Sequence, residues 1–222
     1  MKTPFILFLT LVLSSFVSPI FAKEPQNLEV IRTKLVKYHD SGEYQNDQAK
    51  VINQAMLYLK NRIANNAKSH KSVKMAIVMD IDETSLSNYD DMVRLRFGGT
   101  LEEIKQDEDK ANDPAIKSSL ELYRYAKKNN IAVFFISGRK ENSRAPTTKN
   151  LNDAGYVNFD GLILRPENYS EKSIVPFKTS ARTSVEKQGY TIVLNLGDQE
   201  SDMKGNHADK SFKLPNPYYF IP

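Results

Sequence analysis

The chain has 222 residues, a net charge of +4 and no cysteine. Without cysteine the protein has no disulfide, no metal site built from thiolates and no lipid attached through an N-terminal cysteine. Its basic residues are scattered along the sequence rather than clustered, which argues against binding to a nucleic acid polymer. The length is enough for one α/β domain with an insertion.

The beginning of the chain has the pattern of a targeting segment. A short basic start precedes an uncharged, largely apolar run over residues 5–21, which ends at the small residue Ala22. This pattern predicts a secretory signal peptide over residues 1–22 and a mature domain over 23–222, exported to a periplasm or released. A membrane anchor is the alternative, but Pro19 interrupts a run that is barely long enough to span, so no stable anchor is expected.

Two amphipathic helices are predicted before the first strand. Apolar residues at helical spacing run from Leu28 to Tyr38, Gly42 breaks the pattern, and a second stripe runs from Val51 to Ile63. We expect both stripes to pack against the core or against neighbouring helices rather than to bind a ligand. Together they form an N-terminal helical extension of the domain.

The most informative segment follows the apolar run 75–79, which is predicted to be a buried strand. Asp80 and Asp82 come directly after it, and on an extended backbone their side chains point to the same side. Two carboxylates this close repel each other unless a cation lies between them or one carries a proton. Both conditions suit phosphoryl transfer, in which an aspartate attacks phosphorus and a divalent metal neutralises the phosphate. A plain acidic turn is the alternative.

Residues 85–112 form a segment that a minimal connection between parallel strands would not contain. It includes the charged run 102–110, which is typical of a solvated helix face. Tyr89 and Phe97 also lie here and offer a stacking surface for an aromatic leaving group, although we expect them to pack within the insertion. Asp113 followed by a proline predicts the start of the next helix, with Asp113 as its N-cap.

Polar residues follow two of the later strands. Three further strands are predicted, over residues 131–136, 159–164 and 191–196. Ser137 follows the first of these strands and Asp198 follows the last, while Lys178 lies at the start of a helix between them. Because ligands bind at the carboxyl ends of the strands in an open α/β sheet, we expect these side chains to share one site.

In this order the motifs resemble those of the haloacid dehalogenase (HAD) superfamily of phosphohydrolases. The four matching motifs are Asp80-x-Asp82-x-Thr84, Ser137, Lys178 and Gly197-Asp198-x3-Asp202. The surrounding sequence resembles the secreted acid phosphatases of that superfamily, namely the bacterial class B and class C enzymes. It is also similar to the plant acid phosphatases related to vegetative storage proteins. The resemblance covers the chain from about residue 73 to its C-terminus.

The resemblance implies a Rossmann-like α/β fold, with a parallel sheet that carries helices on both faces. The first strand is then expected between the second and the fourth, with Asp80, Ser137 and Asp198 at one edge. The resemblance also implies that the insertion, approximately residues 85–112, is a small helical cap that closes over the substrate.

The resemblance assigns catalytic and metal-binding roles to four aspartates. Asp80 is the expected nucleophile, and Asp82 is the expected general acid and base. Asp80, Asp82 and Asp198 are the expected ligands of Mg²⁺, with Asp82 contributing its backbone carbonyl. Asp202 is expected to orient a metal-bound water from a second layer.

Four more residues are expected to bind the phosphate of the substrate. Thr84, Ser137, Gly138 and Lys178 have this role by resemblance, with the charge of Lys178 offsetting repulsion between the nucleophile and the phosphate. Lys172 competes for the role of Lys178, which we prefer because it lies at a helix start.

Arginines and histidines are weaker candidates. Arg139 and Arg144 are possible substrate contacts, although a surface position is the commoner case for an arginine. His39, His70 and His207 lack metal-ligand spacing, so we expect them at the surface and exclude a histidine-based mechanism.

The expected function is that of a secreted, Mg²⁺-dependent acid phosphatase that hydrolyses small phosphomonoesters, nucleotides among them, through an aspartyl-phosphate. A storage or binding protein on the same fold, and phosphoryl transfer to an alcohol, stay open as alternatives, as does a homo-oligomer. Protonation of the leaving group requires a proton on Asp82. Burial and the charge of Asp80 are expected to raise the pKa of Asp82 while Mg²⁺ lowers it, which predicts a bell-shaped profile that peaks at about pH 5 to 6.

Overall fold

The computed structural model describes residues 22–222. The predicted signal peptide over residues 1–22 therefore lies, apart from its last residue, outside the described part of the chain. No helix within residues 22–222 is long and apolar enough to cross a membrane.

Helices and strands alternate along most of the chain. The helices are α1 Leu28–Asp40, α2 Glu43–Lys68, α3 Tyr89–Arg94, α4 Leu101–Lys110, α5 Lys117–Lys128, α6 Arg144–Asp153, α7 Val175–Lys187 and α8 Glu200–Met203. The strands are β1 Lys74–Met79, β2 Ala132–Lys140, β3 Gly161–Arg165, β4 Tyr190–Gly197 and β5 Ser211–Lys213. A 3-10 turn over Glu141–Ser143 joins β2 to α6.

The five strands form one parallel sheet in the order β3-β2-β1-β4-β5. The expected position of the first strand, between the second and the fourth, is confirmed. Met79 at the end of β1 pairs with Phe135 of β2 and with Leu196 of β4. The residues that follow these three pairing positions therefore meet at one edge of the sheet, where ligands bind in folds of this kind.

The side chains of β1 alternate between two apolar layers. Met75, Ile77 and Met79 pack in a cluster with residues of α2 and α5, whereas Ala76 and Val78 pack in a second cluster with residues of α7. This alternation is what a strand buried on both faces requires. Helices cover both faces of the sheet, as the sequence predicted.

The two predicted N-terminal helices are present and are separated at the predicted glycine. Gly42 adopts a left-handed conformation with φ of 81°, which glycine accepts without steric cost, and α2 starts at the next residue. Ile52, Ala55 and Leu59 of α2 are fully buried in the core, as their helical spacing predicted. By contrast, α1 buries none of its residues and lies on the outside of the molecule.

The predicted start of the helix before β2 is wrong. This helix, α5, begins at Lys117 with Ile116 as its N-cap, so Asp113 does not cap it. Asp113 is buried instead, its carboxylate accepts a hydrogen bond from Arg139, and the side chain of Asn150 bonds both its N–H and its carbonyl. The aspartate is used by a buried polar network, which pattern alone does not reveal.

The insertion contains the two short helices α3 and α4. Thr100 and Glu103 form a capping box at the start of α4, and Arg94 of α3 pairs with Asp107 of α4. Tyr89 and Phe97 pack against Tyr218 near the C-terminus, with ring centroids 5.8 and 5.5 Å apart. Both side chains pack, as expected, but against the C-terminal segment rather than within the insertion.

Candidate active site

Three buried aspartates form an acid cluster at the edge of the sheet. Asp80 follows β1 and extends its pairing by one residue, because its N–H donates to the carbonyl of Leu196 at 2.9 Å. Asp198 follows β4, and Asp202 lies in α8. Each of the three is at most 6% exposed, and each offers a carboxylate oxygen within 4.8 Å of the others.

Lys178 places a positive charge against this cluster from the first turns of α7. Its Nζ lies 2.9 Å from Oδ1 of Asp80 and also donates to Oδ1 of Asp202. Burial disfavours its charge, but the two carboxylates outweigh that effect and raise the pKa of Lys178. Lys172, the competing candidate, is exposed. The geometry therefore supports Lys178 and not Lys172 as the lysine of the site.

The acids carry more negative charge than one lysine neutralises. Burial, together with the neighbouring charges of Asp202 and Asp198, raises the pKa of Asp80 well above its ordinary value despite the opposing charge of Lys178. Burial and Asp202 likewise raise the pKa of Asp198. A divalent cation would offset this repulsion between the carboxylates. Carboxylate oxygens are also the ligands that hard cations such as Mg²⁺ prefer. The donor set fits such an ion.

Asp198 is held in place by three hydrogen-bond donors. The hydroxyl of Thr84 donates to its Oδ1 at 3.1 Å, while the amides of Gln199 and Asn216 donate to its Oδ2 at 2.6 and 2.7 Å. Thr84 thus contacts the acid cluster, and its role in phosphate binding stays a prediction. The sequence interpretation gave Gln199 and Asn216 no role, because single amides after a strand carry no distinctive pattern.

The position of Asp202 depends on Gly197 at the end of β4. A Cβ at residue 197 would lie 2.4 Å from Cγ of Asp202, so no larger residue fits there without displacing the aspartate. Oδ2 of Asp202 accepts the N–H of Gln199 at 2.9 Å, and its carbonyl accepts Nη1 of Arg182 at 3.0 Å. Asp202 therefore lies within the acid cluster, and its predicted role in orienting a metal-bound water stays a prediction.

The carboxylate of Asp82 turns toward Arg139 rather than toward the acid cluster. Nε of Arg139 lies 3.0 and 3.1 Å from the two carboxylate oxygens, and Nη2 lies 2.6 Å from Oδ1. Burial raises the pKa of Asp82, but the charge and hydrogen bonds of Arg139 outweigh burial, so the net shift is downward. The expectation of a raised pKa for this residue is wrong, because the sequence did not reveal the arginine as its partner.

Arg139 is a buried residue and not the surface arginine that was the commoner expectation. Its side chain is 1% exposed and also pairs with Asp113 at 3.1 Å. Burial raises the pKa of Asp113 to about 6, although Arg139 opposes the shift. Arg144, in contrast, is exposed and pairs with Glu141 one turn before it. Of the two arginines, only Arg139 contacts a predicted catalytic residue.

Ser137 and Gly138 lie beside Asp82 near the end of β2. The hydroxyl of Ser137 accepts the N–H of Arg139 at 3.1 Å and lies 3.5 Å from Oδ2 of Asp82. No atom lies within 4 Å of the position that a Cβ on Gly138 would take, so the space next to this backbone is open. An anion can approach the chain here.

Glu83, which the sequence interpretation passed over as part of a turn, is fully buried between Asp82 and Thr84. It adopts a left-handed conformation with φ of 51°, which is unusual for a residue with a side chain. Burial raises the pKa of Glu83 to about 8, although hydrogen bonds from Tyr44 and from the N–H of Asn88 oppose the shift.

Histidines play no part in this site. His39 stacks on Tyr89 with ring centroids 3.3 Å apart, His207 pairs with Glu186, and His70 is exposed. Among residues 22–222, the acid cluster is the one group of potential ligands close enough to hold a metal ion. A cavity of about 470 Å³, lined in part by the C-terminal segment, opens beside Asp198.

Comparison with known proteins agrees with this geometry. A family model described as "HAD superfamily, subfamily IIIB (Acid phosphatase)" matches residues 11–222. The chain belongs to this family. The resemblance found in the four sequence motifs is thereby confirmed.

Relatives among plant proteins carry two kinds of name. The chain is 37% identical to Acid phosphatase 1 of Solanum lycopersicum over 65% of its own length and 58% of the length of that protein. It is 36% identical to the Stem 28 kDa glycoprotein of Glycine max, covering 83% of the chain and 72% of the relative. It is 31% identical to Vegetative storage protein 1 of Arabidopsis thaliana, and the match covers 82% of the chain and 67% of the relative.

A solved structure supports the same fold. The class C acid phosphatase from Bacillus anthracis superposes with a TM-score of 0.71 and 23% sequence identity. The match covers 86% of this chain and 87% of the other. The HAD-like arrangement of the sheet and its helices is therefore confirmed.

Proposed function

We propose that this protein is a secreted, Mg²⁺-dependent acid phosphatase that hydrolyses small phosphomonoesters through a phosphorylated Asp80. The observation that carries this proposal is the acid cluster of Asp80, Asp198 and Asp202, buried at the edge of the sheet and bonded to Lys178. A buried group of like charges is unfavourable for folding, and such groups are typical of catalytic sites.

In the first step Asp80 attacks phosphorus. Lys178 engages Oδ1 of Asp80, which leaves Oδ2 for the attack and fixes the direction of the carboxylate. The new bond joins Oδ2 to phosphorus, the bond from phosphorus to the ester oxygen breaks, and the ester oxygen takes a proton from Asp82. The alcohol leaves, and the phosphoryl group remains on Asp80.

In the second step water removes the phosphoryl group. Asp82, now ionised, takes a proton from the water as its oxygen bonds to phosphorus, and the bond to Asp80 breaks. Inorganic phosphate leaves, and both aspartates return to their starting states. Arg139 holds Asp82 by both carboxylate oxygens, which keeps the same side chain in position for the two proton transfers.

The ion and the phosphate have separate partners in this proposal. Asp80 and Asp198 would hold Mg²⁺ through their carboxylates and Asp82 through its backbone carbonyl, and the ion would neutralise charge on the phosphate. Ser137 and the open backbone at Gly138 would bind the phosphate oxygens. Two further assignments belong to the proposal: the insertion over residues 85–112 acts as a cap, and the leader directs export.

The pH profile remains part of the proposal. Acid favours a proton on Asp82 and reduces the charge of the substrate phosphate, whereas stronger acid protonates the nucleophile. We expect a bell-shaped profile of kcat/KM that peaks at about pH 5 to 6. The preference for acid should be stronger for alkyl than for aryl esters, because an alkyl leaving group needs the proton more. Because Arg139 lowers the pKa of Asp82, the proton on Asp82 by itself favours turnover below this range, and the second ionisation of the substrate phosphate, at about 6, places the peak within it.

A storage protein on the same fold is the second candidate, favoured by the relatives that carry vegetative storage protein names. The complete set of motif residues argues for catalysis, since a protein without activity does not need a buried acid cluster. Transfer to an alcohol acceptor uses the same intermediate and is measured by competition between an added alcohol and water.

The direct test is a panel of aryl, sugar and nucleoside monophosphates assayed with Mg²⁺ and with EDTA. Turnover that is lost on chelation and restored by Mg²⁺ is the expected result. Full activity after exhaustive chelation would contradict the metal assignment. No activity on any ester, by a folded protein that binds Mg²⁺, would favour the storage protein.

A further inference from the structure

Residues 80–88, which follow β1 and carry Asp80 and Asp82, are called the catalytic loop here. One residue of this loop, Glu83, has an unfavourable conformation. Its φ of 51° lies in the left-handed region, which is unfavourable for a residue other than glycine. Glycine would remove this strain. A buried glutamate in such a position is retained only if its side chain makes interactions that glycine cannot make.

The N-terminal extension supplies one such interaction, to the side chain of Glu83, and a second bond to its backbone. The hydroxyl of Tyr44 donates to Oε2 of Glu83 at 2.6 Å, and the side-chain amide of Gln48 donates to the Glu83 carbonyl at 3.3 Å. Tyr44 and Gln48 lie one turn apart on α2 and are 1% and 2% exposed. The helix therefore reaches the loop between Asp82 and Thr84 from outside the sheet.

The insertion contacts the other carboxylate oxygen of Glu83. The N–H of Asn88, the residue before α3, donates to Oε1 of Glu83 at 2.6 Å. The hydroxyl of Ser87 lies 3.5 Å from the same oxygen. The carboxylate thus joins the helical extension on one side to the base of the insertion on the other, at the residue that follows Asp82.

We propose that Glu83 is a positioning residue, and that α2 is a functional part of the active site through the Tyr44–Glu83 hydrogen bond. The bond fixes the backbone that carries Asp80, Asp82 and Thr84, and it sets the base of the insertion relative to them. The kinetic test of this inference rests on the proposed phosphatase activity, whereas the test by hydrogen exchange does not.

The test compares Tyr44→Phe with Tyr38→Phe. Tyr38 is a suitable control because its hydroxyl also bonds a carboxylate, Asp47, at 2.8 Å, but one within the N-terminal helices. Its ring packs against Tyr44, and the phenylalanine variant keeps that ring. Since small displacements of reacting groups lower rates steeply, Tyr44→Phe should lower kcat about tenfold or more, with KM changed much less. Tyr38→Phe should leave kcat unchanged.

Variants of Glu83 separate the side chain from the backbone. Glu83→Gly removes the strain and the carboxylate together, so it should remain folded and lose kcat. Glu83→Gln keeps the shape and one acceptor oxygen, so it should retain more activity than Glu83→Gly. Wild-type kcat in Glu83→Gly would overturn the proposal, because the backbone conformation alone would then be sufficient.

Hydrogen exchange of the full-length protein provides a readout that does not need activity. Amides in residues 82–88 should exchange faster in Tyr44→Phe than in Tyr38→Phe, whether or not the protein turns over a phosphate ester. Equal exchange and equal kcat in the two variants would overturn the inference. A wild-type protein without activity, but with faster exchange in Tyr44→Phe, would contradict the proposed function and leave the positioning role supported.

Discussion

Lys178 controls the electrostatics of the site from a single buried position. Its ammonium bonds Asp80 and Asp202, and both bonds are shielded from water. Truncating one partner of a buried ion pair leaves uncompensated charge and destabilises a protein by about 3–5 kcal/mol. In the proposed mechanism it also removes the charge that offsets repulsion between the phosphate and Asp80.

Lys178→Met should therefore lower kcat/KM by at least about 100-fold, in the range found when electrostatic partners of a transition state are removed. Steady-state kinetics with an aryl phosphate and saturating Mg²⁺ measure the loss. Lys172→Met is the matched control, since that lysine is exposed and should show wild-type values. Similar kinetics for both variants would refute the assignment of Lys178.

Glu83 gives the stability of the metal-free protein a pH dependence. Its pKa is about 8 in the folded protein against an ordinary value of 4.5, so the folded state holds the proton more tightly than the unfolded chain does. The contribution to the free energy of unfolding is complete below about pH 4.5 and is lost as pH rises to about 8. The slope within that window approaches about 1.4 kcal/mol per pH unit.

Urea unfolding in EDTA between about pH 5 and 8 measures this contribution. Glutamine does not titrate, so the free energy of unfolding of wild type should fall with pH relative to that of Glu83→Gln. A difference between the two proteins that stays constant across the range would show that Glu83 does not take up a proton on folding.

At the scale of the elements, the junction of β4 and α8 builds the acid cluster. Gly197 ends the strand, and the chain turns at once so that Asp202 comes back against it. Gly197→Ala places a methyl group 2.4 Å from Cγ of Asp202, so it should displace that side chain from Lys178. Activity should fall about tenfold or more. Half-maximal activity should need a higher Mg²⁺ concentration, because Asp202 shares the acid cluster with the proposed ligands Asp80 and Asp198.

Gly98→Ala is the control for this change. The nearest atom to a Cβ at residue 98 is the carbonyl oxygen of Leu95 at 3.5 Å, which is an ordinary contact. Circular dichroism and the Mg²⁺ dependence of kcat/KM should be unchanged for Gly98→Ala. If Gly197→Ala behaves in the same way, the close approach of Asp202 has no functional role.

The sequence predicted the elements whose signal is local. β1, β2 and β4 are runs of apolar residues that end in polar clusters, and the two N-terminal helices carry clear helical stripes around the break at Gly42. β5 was missed because three residues, one of them buried, make no periodic pattern. α8 was missed because four residues are too few for one.

The sequence did not predict the partners that order the site. Arg139 and its partner Asp82 are 57 residues apart in the sequence, and Asn216 and its partner Asp198 are 18 residues apart. Tyr44 and Glu83, which share a hydrogen bond, are 39 residues apart. Such contacts depend on which faces the fold brings together, and a single residue at a distant position carries no spacing that would indicate them.

At the scale of the whole molecule, three separate parts of the chain meet in one aromatic cluster. Tyr44 of α2 and Tyr89 of α3 both pack on Tyr218, with ring centroids 5.0 and 5.8 Å from it. The extension, the insertion and the C-terminal segment are therefore joined next to the catalytic loop. Movement of the insertion as a cap would have to disturb this cluster.

The metal should stabilise the whole folded protein, since a ligand that binds the folded state alone shifts the unfolding equilibrium. Mg²⁺ should raise the Tm of the wild-type protein in a concentration-dependent manner. Asp198→Asn removes one proposed ligand and should show a much smaller rise. An equal rise in both proteins would place the ion elsewhere.

The central claim, that Asp80 carries the phosphoryl group, is tested most directly by acid quench and peptide mass analysis of Asp82→Asn during turnover of an aryl phosphate. This variant retains the nucleophile and lacks the base that activates water, and an aryl leaving group departs without a proton, so the intermediate should accumulate. The account predicts one phosphoryl group on the peptide that contains Asp80. Turnover of the ester by this variant with no phosphorylated peptide, or with the label on a different residue, would contradict it.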